Sequence, residues 1–209
     1  MEYAFHVYNK LASDGAAMAI DKLLQANFLK KEDRRRGACT HSSENVDVLA
    51  KPPVIVCIGS DLAIGDSLGP IVGSMLKYKT QGLNTFIYGT LASPVTAKEI
   101  RYIRAFLKQT HKDNQVVAID AAVGAEGDIG LIKISDVPLL PGAGANKKLG
   151  AVGDLSVMGI VAEKSLANYG LLNTTRLNLV YSMAEIISDG VSSLLWERCS
   201  KQKRSLQNA

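Results

Sequence analysis

Paired cysteines are missing from this 209-residue chain. Its three, Cys39, Cys57 and Cys199, are odd in number and show no C-x-x-C spacing, so neither a disulfide framework nor a zinc ribbon is indicated. Cys57 falls inside an apolar run, where a thiol packs as a small hydrophobe. The chain reads as one from a reduced, cytoplasmic compartment. Histidine is as scarce: there are only His6, His41 and His111, and none follows position 111. Long apolar runs are absent too. The stretch from Leu11 to Phe28 is interrupted by Asp14, Asp21 and Lys22, which excludes a membrane span, and it lacks the short apolar core of an export signal. Charge of one sign does not dominate: 24 basic against 20 acidic residues leave +4, too small an excess to argue for nucleic acid. The basic residues gather in Lys30–Gly37 and Lys201–Arg204, without the interleaved aromatics of a base-stacking surface. They read as a solvated connection and a basic tail, so neither a nucleic acid nor a membrane is expected as partner.

What the chain does have is 47% apolar residues, enough to bury a two-sided core in one α/β domain. Ala17, Ile20, Leu23, Leu24 and Phe28 recur at helical spacing and predict a helix over 12–28. The polar stretch 30–51 reads as a surface connection. From Pro52 the pattern alternates: strand 53–58, helix 67–78, strand 84–88, helix 96–109, strand 115–120. Thr96-Ala-Lys-Glu99 fits a capping box at the start of the second of these helices. Residues 129–134 alternate apolar and polar as an edge or hairpin strand does, 138–150 form a loop rich in glycine and alanine, and 154–162 is a further strand. An amphipathic helix over 178–199 closes the pattern, with Leu179, Met183, Ile186, Ile187, Val191, Leu194 and Leu195 inward. The expected organisation is therefore 1–51 as an N-terminal helix and polar connection packed on the domain, 52–200 as the α/β domain and 201–209 as a basic tail. The sheet should be mostly parallel, with right-handed crossovers.

Asp66 and Asp120 carry the chemistry. Each sits just past a β-branched run, Pro53–Gly59 and Gln115–Asp120, of the kind a buried parallel strand shows. Ligands gather at the carboxyl ends of such strands. Two carboxylates there cannot both ionise cheaply, so either one pKa rises and the pair serves as acid and base, or a cation neutralises them. Blander readings stand beside this: Asp66 as a helix N-cap, Asp120 as a strand-end acid bonded to loop amides. Asp61, Glu126 and Asp128 would extend the pair into an oxygen-rich metal site, or are solvated loop acids. Gly65-Asp-Ser-Leu-Gly69 matches a nucleophile elbow, but no histidine lies near the C-terminus to take the Ser67 proton, and six residues separate Gly59 from Asp66. A phosphate loop needs Lys where Asp66 stands.

At Cys57-Ile-Gly-Ser60, Gly65-Asp-Ser-Leu-Gly-Pro70, Gly89-Thr-Leu-Ala-Ser-Pro-Val-Thr96, Ala118-Ile-Asp-Ala121 and Pro141-Gly-Ala-Gly-Ala-Asn-Lys147, the chain resembles the HybD-like peptidase superfamily. Within it, the likeness is to the germination protease of spore-forming bacteria and to YyaC-type sporulation proteins. The resemblance implies a three-layer, mostly parallel sheet with helices on both faces, in a phosphorylase/hydrolase-like arrangement. It implies Asp66 and Asp120 as catalytic aspartates of a sporulation-associated peptidase, cytoplasmic in the forespore or spore core. Ser60, Ser67, Thr90, Ser93 and Asn146 would contact a protein or peptide substrate, such as small acid-soluble spore proteins. No cofactor is expected. Hydrogenase maturation proteases of the same fold add a histidine ligand for metal, and none follows Asp120 here; a metal, if held, would rest on Asp66 and Asp120. Two other readings remain, a non-catalytic sporulation protein that binds a partner and a metal-dependent hydrolase, and homo-oligomerisation is left open.

Overall fold

The computed structural model describes residues 1–36, 51–142, 149–164 and 175–207. Six strands form one sheet: β1 (Glu2–His6), β2 (Val54–Cys57), β3 (Phe86–Tyr88), β4 (Val116–Gly124), β5 (Leu131–Ser135) and β6 (Leu155–Glu163), in the order β1-β5-β6-β4-β2-β3. β3, β2, β4 and β6 are joined by parallel pairings; β5 pairs antiparallel with both β6 and β1, so it alone runs against the rest. The helices are α1 (Ala12–Arg36), α2 (Leu68–Lys79), α3 (Ile100–Thr110) and α4 (Leu177–Gln207).

Strand alternation sorts the core into two clusters. Val117 and Ile119 of β4 point into the larger one, with Leu23 and Leu24 of α1, Leu68, Val72 and Leu76 of α2, and Met183, Ile187 and Val191 of α4. Val116 and Ala118 point the other way, against Ile100 and Leu107 of α3. Among the described residues the fold is thus three layers, three helices on one face and α3 on the other.

Three elements depart from the sequence expectation. β1 was not anticipated: five residues with one clear alternation are too short to read, and only pairing with β5, Phe5 opposite Ile132, makes them a strand. For the same reason β5 is interior to the sheet and not an edge, and the sheet draws on residues ahead of Pro52. α1 continues through the charged stretch beyond Phe28 to Arg36. Lys, Glu and Arg are good helix formers, and the helix is moored to the sheet's loops by Lys30 Nζ on Asp136 (3.2 Å) and Lys31 Nζ on Asp154 (2.7 Å). The rest of the expected connection, 37–50, lies outside the described residues. α4 likewise runs on to Gln207, through the segment read as a basic tail.

The Thr96 box forms in part. The Thr96 N–H donates to Glu99 Oε2 at 3.0 Å, its hydroxyl also reaches that carboxylate, and Thr96 Oγ1 accepts from the Lys98 N–H at 3.2 Å. These bonds close a turn just ahead of Ile100 and set where α3 begins. Thr96→Ala should cost about 1 kcal/mol, lowering Tm in a thermal melt by about 2–4 °C.

Candidate active site

β2 and β4 are parallel neighbours, last paired at Cys57 and Ile119. Asp120 is the next residue of β4, level with the end of β2 and opposite Met158 of β6. Beyond Cys57 the chain stays beside β4 for one more bond, the Ile58 N–H to the Ile119 carbonyl at 2.7 Å. It then turns at Gly59, whose N–H donates to the Val95 carbonyl at 3.0 Å.

Gly59 has φ +141°, a conformation L side chains rarely adopt, and an added Cβ would lie 2.1 Å from the Asp66 carbonyl oxygen. That carbonyl accepts the Ser60 N–H at 3.0 Å, and the Asp66 N–H donates to the Ala63 carbonyl at 3.0 Å. Both backbone groups of Asp66 are therefore fixed by the loop that carries it. The following helix is seated by further glycines: a Cβ on Gly69 would meet the Ile58 carbonyl at 2.0 Å, and one on Gly73 the Gly89 carbonyl at 1.8 Å. α2 thus lies directly on the ends of β2 and β3, which brings the 3₁₀ turn Ile64–Ser67 against β4.

The Asp66 charge acts on Asp120. Burial first, and the Asp66 carboxylate second, hold the Asp120 carboxyl well above the usual carboxylate range; the Ala121 N–H, donating to Asp120 Oδ1 at 2.8 Å, pulls the other way. Asp66 and Asp120 are both half-buried. The N-cap position of α2 is taken by Ser67, which makes no side-chain cap bond. The amide bonded to Asp120 belongs to Ala121, the next residue of β4, so it is a strand amide and not the loop amide of the blander reading; it coexists with the coupling to Asp66.

The hydroxyl candidates divide. Ser67 is buried with its Oγ donating to the Ile64 carbonyl at 2.7 Å, so it braces the turn beneath the rim, out of reach for the substrate contact expected of it. Thr90 is buried as well, and its Oγ1 accepts the Ser93 N–H at 3.2 Å. Its hydroxyl is given to the turn, whose tip carries the exposed Ser93. Ser60 is half-buried beside Gly59 and accepts the Leu62 N–H at 3.2 Å. Asn146 lies outside the described residues. Asp61 and Glu126 are exposed and Asp128 is paired with Lys133 at 2.9 Å; among the described residues no three His, Cys, Asp or Glu side chains come together to hold a metal ion. Two carboxylates without imidazole or thiolate are a poor match for nickel, which favours nitrogen donors. The residues that sequence reasoning missed are the seating glycines Gly69, Gly73 and Gly89; their signal was a small-x-x-x-small step in a helix next to a strand end.

Fold and site together define an open α/β protein that presents a coupled carboxylate pair where β2 ends beside β4, which itself runs on past the expected strand end at Asp120 to Gly124. The chain belongs to the DUF1256 family, whose description is a protein of unknown function and whose model matches residues 34–190. It is 45% identical over 143 residues to the uncharacterized protein YyaC of Bacillus subtilis strain 168, across 68% of this chain and 69% of that protein. Among solved structures, the [NiFe] hydrogenase maturation protease HycI of Thermococcus kodakarensis KOD1 is similar with a TM-score of 0.36 and 22% identity, over 66% of this chain and 93% of that one. Among the described residues no helix is long and apolar enough to cross a membrane.

Proposed function

We propose that this protein hydrolyses peptide bonds with Asp66 and Asp120 sharing one proton. The observation that carries the reading is the meeting of the turn that holds Asp66 with β4, which holds Asp120; burial, and then the Asp66 charge, raise the proton affinity of Asp120. Asp120 is the member that holds the shared proton. Asp66 takes a proton from water as the water oxygen bonds to the peptide carbonyl carbon. As the C–N bond breaks, Asp120 gives its proton to the departing nitrogen, and transfer from Asp66 back to Asp120 resets the pair. In this reading Ser60 and Ser93, whose side chains are not buried, orient a substrate chain. By the likeness to the germination protease, the setting is the forespore or spore core and the substrates are small acid-soluble spore proteins.

The test is cleavage of such a purified protein followed by mass spectrometry. Asp66→Asn and Asp120→Asn should each reduce the rate by about 100-fold or more, with chelator leaving the wild type unaffected. Chelator-sensitive cleavage would favour a metal-dependent hydrolase instead. A partner-binding protein without catalysis is the second reading, supported by the commitment of Ser67 and Thr90 to the protein's own backbone. It gains if the wild type cleaves nothing yet both Asn variants fold.

A further inference from the structure

We propose that the outer face of α3 is a docking surface for single-stranded nucleic acid. α3 covers the second face of the sheet with Ile100 and Leu107 inward. Its outer side carries Arg101 and Lys108, flanked by Lys98 and Lys112, all four exposed. Arg101 and Lys108, seven residues apart, share one face of α3; Lys98 and Lys112 lie in the turns at its two ends. The helix contains no acidic residue, and no ion pair among the described residues holds Arg101 or Lys108. Of the two acids at its ends, Glu99 holds Thr96 and feels the Lys98 charge, and Asp113 holds Lys51.

Helix stability does not explain these cations. Lys98 and Arg101 stand at the N-terminal end, where the helix dipole disfavours cations, and Arg101/Arg104 and Arg104/Lys108 are like-charge neighbours at repulsive spacings. An anionic chain lying along the helix relieves every one of these repulsions. Two aromatics border that face one turn apart. Tyr102 is 75% exposed, and Phe106, 40% exposed, is held edge-on by Tyr88 at 5.4 Å between ring centroids. Cations beside outward-facing rings are what a single strand uses, phosphates on the cations and bases on the rings; a duplex keeps its bases stacked internally. The cations escape a reading of the sequence because they are dispersed along it, and only the helix aligns Arg101 with Lys108.

The test is fluorescence anisotropy of a labelled thymidine oligomer of about twelve nucleotides, a length within the usual single-strand site range. With four phosphate contacts, affinity should fall about 50-fold between roughly 50 and 200 mM salt. Arg101→Gln combined with Lys108→Gln should halve the slope of log affinity against log salt, and Tyr102→Ala should weaken binding by about 5-fold or more at unchanged slope. All three side chains are exposed, so thermal melts should match the wild type. Absence of binding at about 50 mM salt overturns the proposal. So does duplex binding as tight as single strand with Tyr102→Ala silent, which marks an unspecialised cationic surface, and so does displacement by polyglutamate at lower charge concentration than the oligomer, which marks an acidic protein as the partner.

Discussion

Asp120→Asn is expected to raise the melting temperature at pH 7 while abolishing peptide cleavage. The sign follows from linkage. Burial and the Asp66 charge lift the folded-state pKa of Asp120 above its ordinary value, so the folded protein binds that proton more tightly than the unfolded chain. Its favourable contribution is complete below the unfolded value of about 4 and is lost as pH rises through the folded pKa. At neutral pH the unfolded chain gains by releasing a proton that the folded protein holds, a penalty on folding that asparagine lacks. Each kcal/mol recovered moves Tm by about 2–4 °C in a domain of this size, so a rise of several degrees at pH 7 should shrink to nothing near pH 4. Melts of both proteins across that range provide the check. A destabilised variant at pH 7 would mean that the Asp120–Ala121 bond outweighs the repulsion and that the acid is structural. Loss of cleavage together with gained stability is the combination that a merely structural aspartate does not produce.

The second large effect is on stability, and its sign is opposite to helix propensity. Gly73 lies in the middle of α2, where replacement by alanine ordinarily stabilises by about 1 kcal/mol. Here the new methyl would sit 1.8 Å from the Gly89 carbonyl oxygen, and 3.3 Å from Cys57 Cβ. Gly89 cannot retreat, because its own position, at φ +86°, is pressed against the Cys57 carbonyl, 1.8 Å from where its Cβ would be. The whole helix must lift. Gly73→Ala should cost about 3 kcal/mol or more, as overpacking against fixed backbone does, lowering Tm by about 6–12 °C. Gly82→Ala is the comparison: its Cβ meets nothing within 4 Å, and only its φ of +88° opposes the change, a cost of about 1–2 kcal/mol. Equal losses for the two variants would contradict the close seat of α2. Because the same helix carries Asp66 at its head, a residual folded fraction of Gly73→Ala should also bind its proton at Asp120 less tightly.

The parallel core was legible because its strands are apolar on both faces and bounded by glycine or proline; Val54–Cys57, Val116–Ile119 and Leu155–Val161 fall where the β-branched runs predict. So was the convergence of Asp66 with Asp120, since it needs only that β2 and β4 be neighbours. What escaped was set by tertiary contact. Glu2–His6 becomes a strand only against β5, and the charged end of α1 stays helical while Asp136 and Asp154 receive its lysines. The fate of the hydroxyls was also hidden: nothing in the local pattern says that Ser67 turns its Oγ to Ile64 or that Thr90 serves its own turn. Sequence reveals that a polar group is present at a strand end, but which way it faces depends on a carbonyl supplied by the folded loop.

β1 has a practical bearing on how the molecule can be divided. The segment from Pro52 onward holds both aspartates and most of the sheet, and trimming to it looks harmless. Yet such a fragment would bare the outer edge of β5, where five residues now pair with β1, leaving the amide and carbonyl of every second one unpaired beside a buried Ile132 and Ile134, an invitation to strand-to-strand association between copies. It would also strip α1 from α4, uncovering the groove where Gly190 lets Ala16 approach. The opening residues act as a selvedge, finishing a fabric woven mostly from later thread.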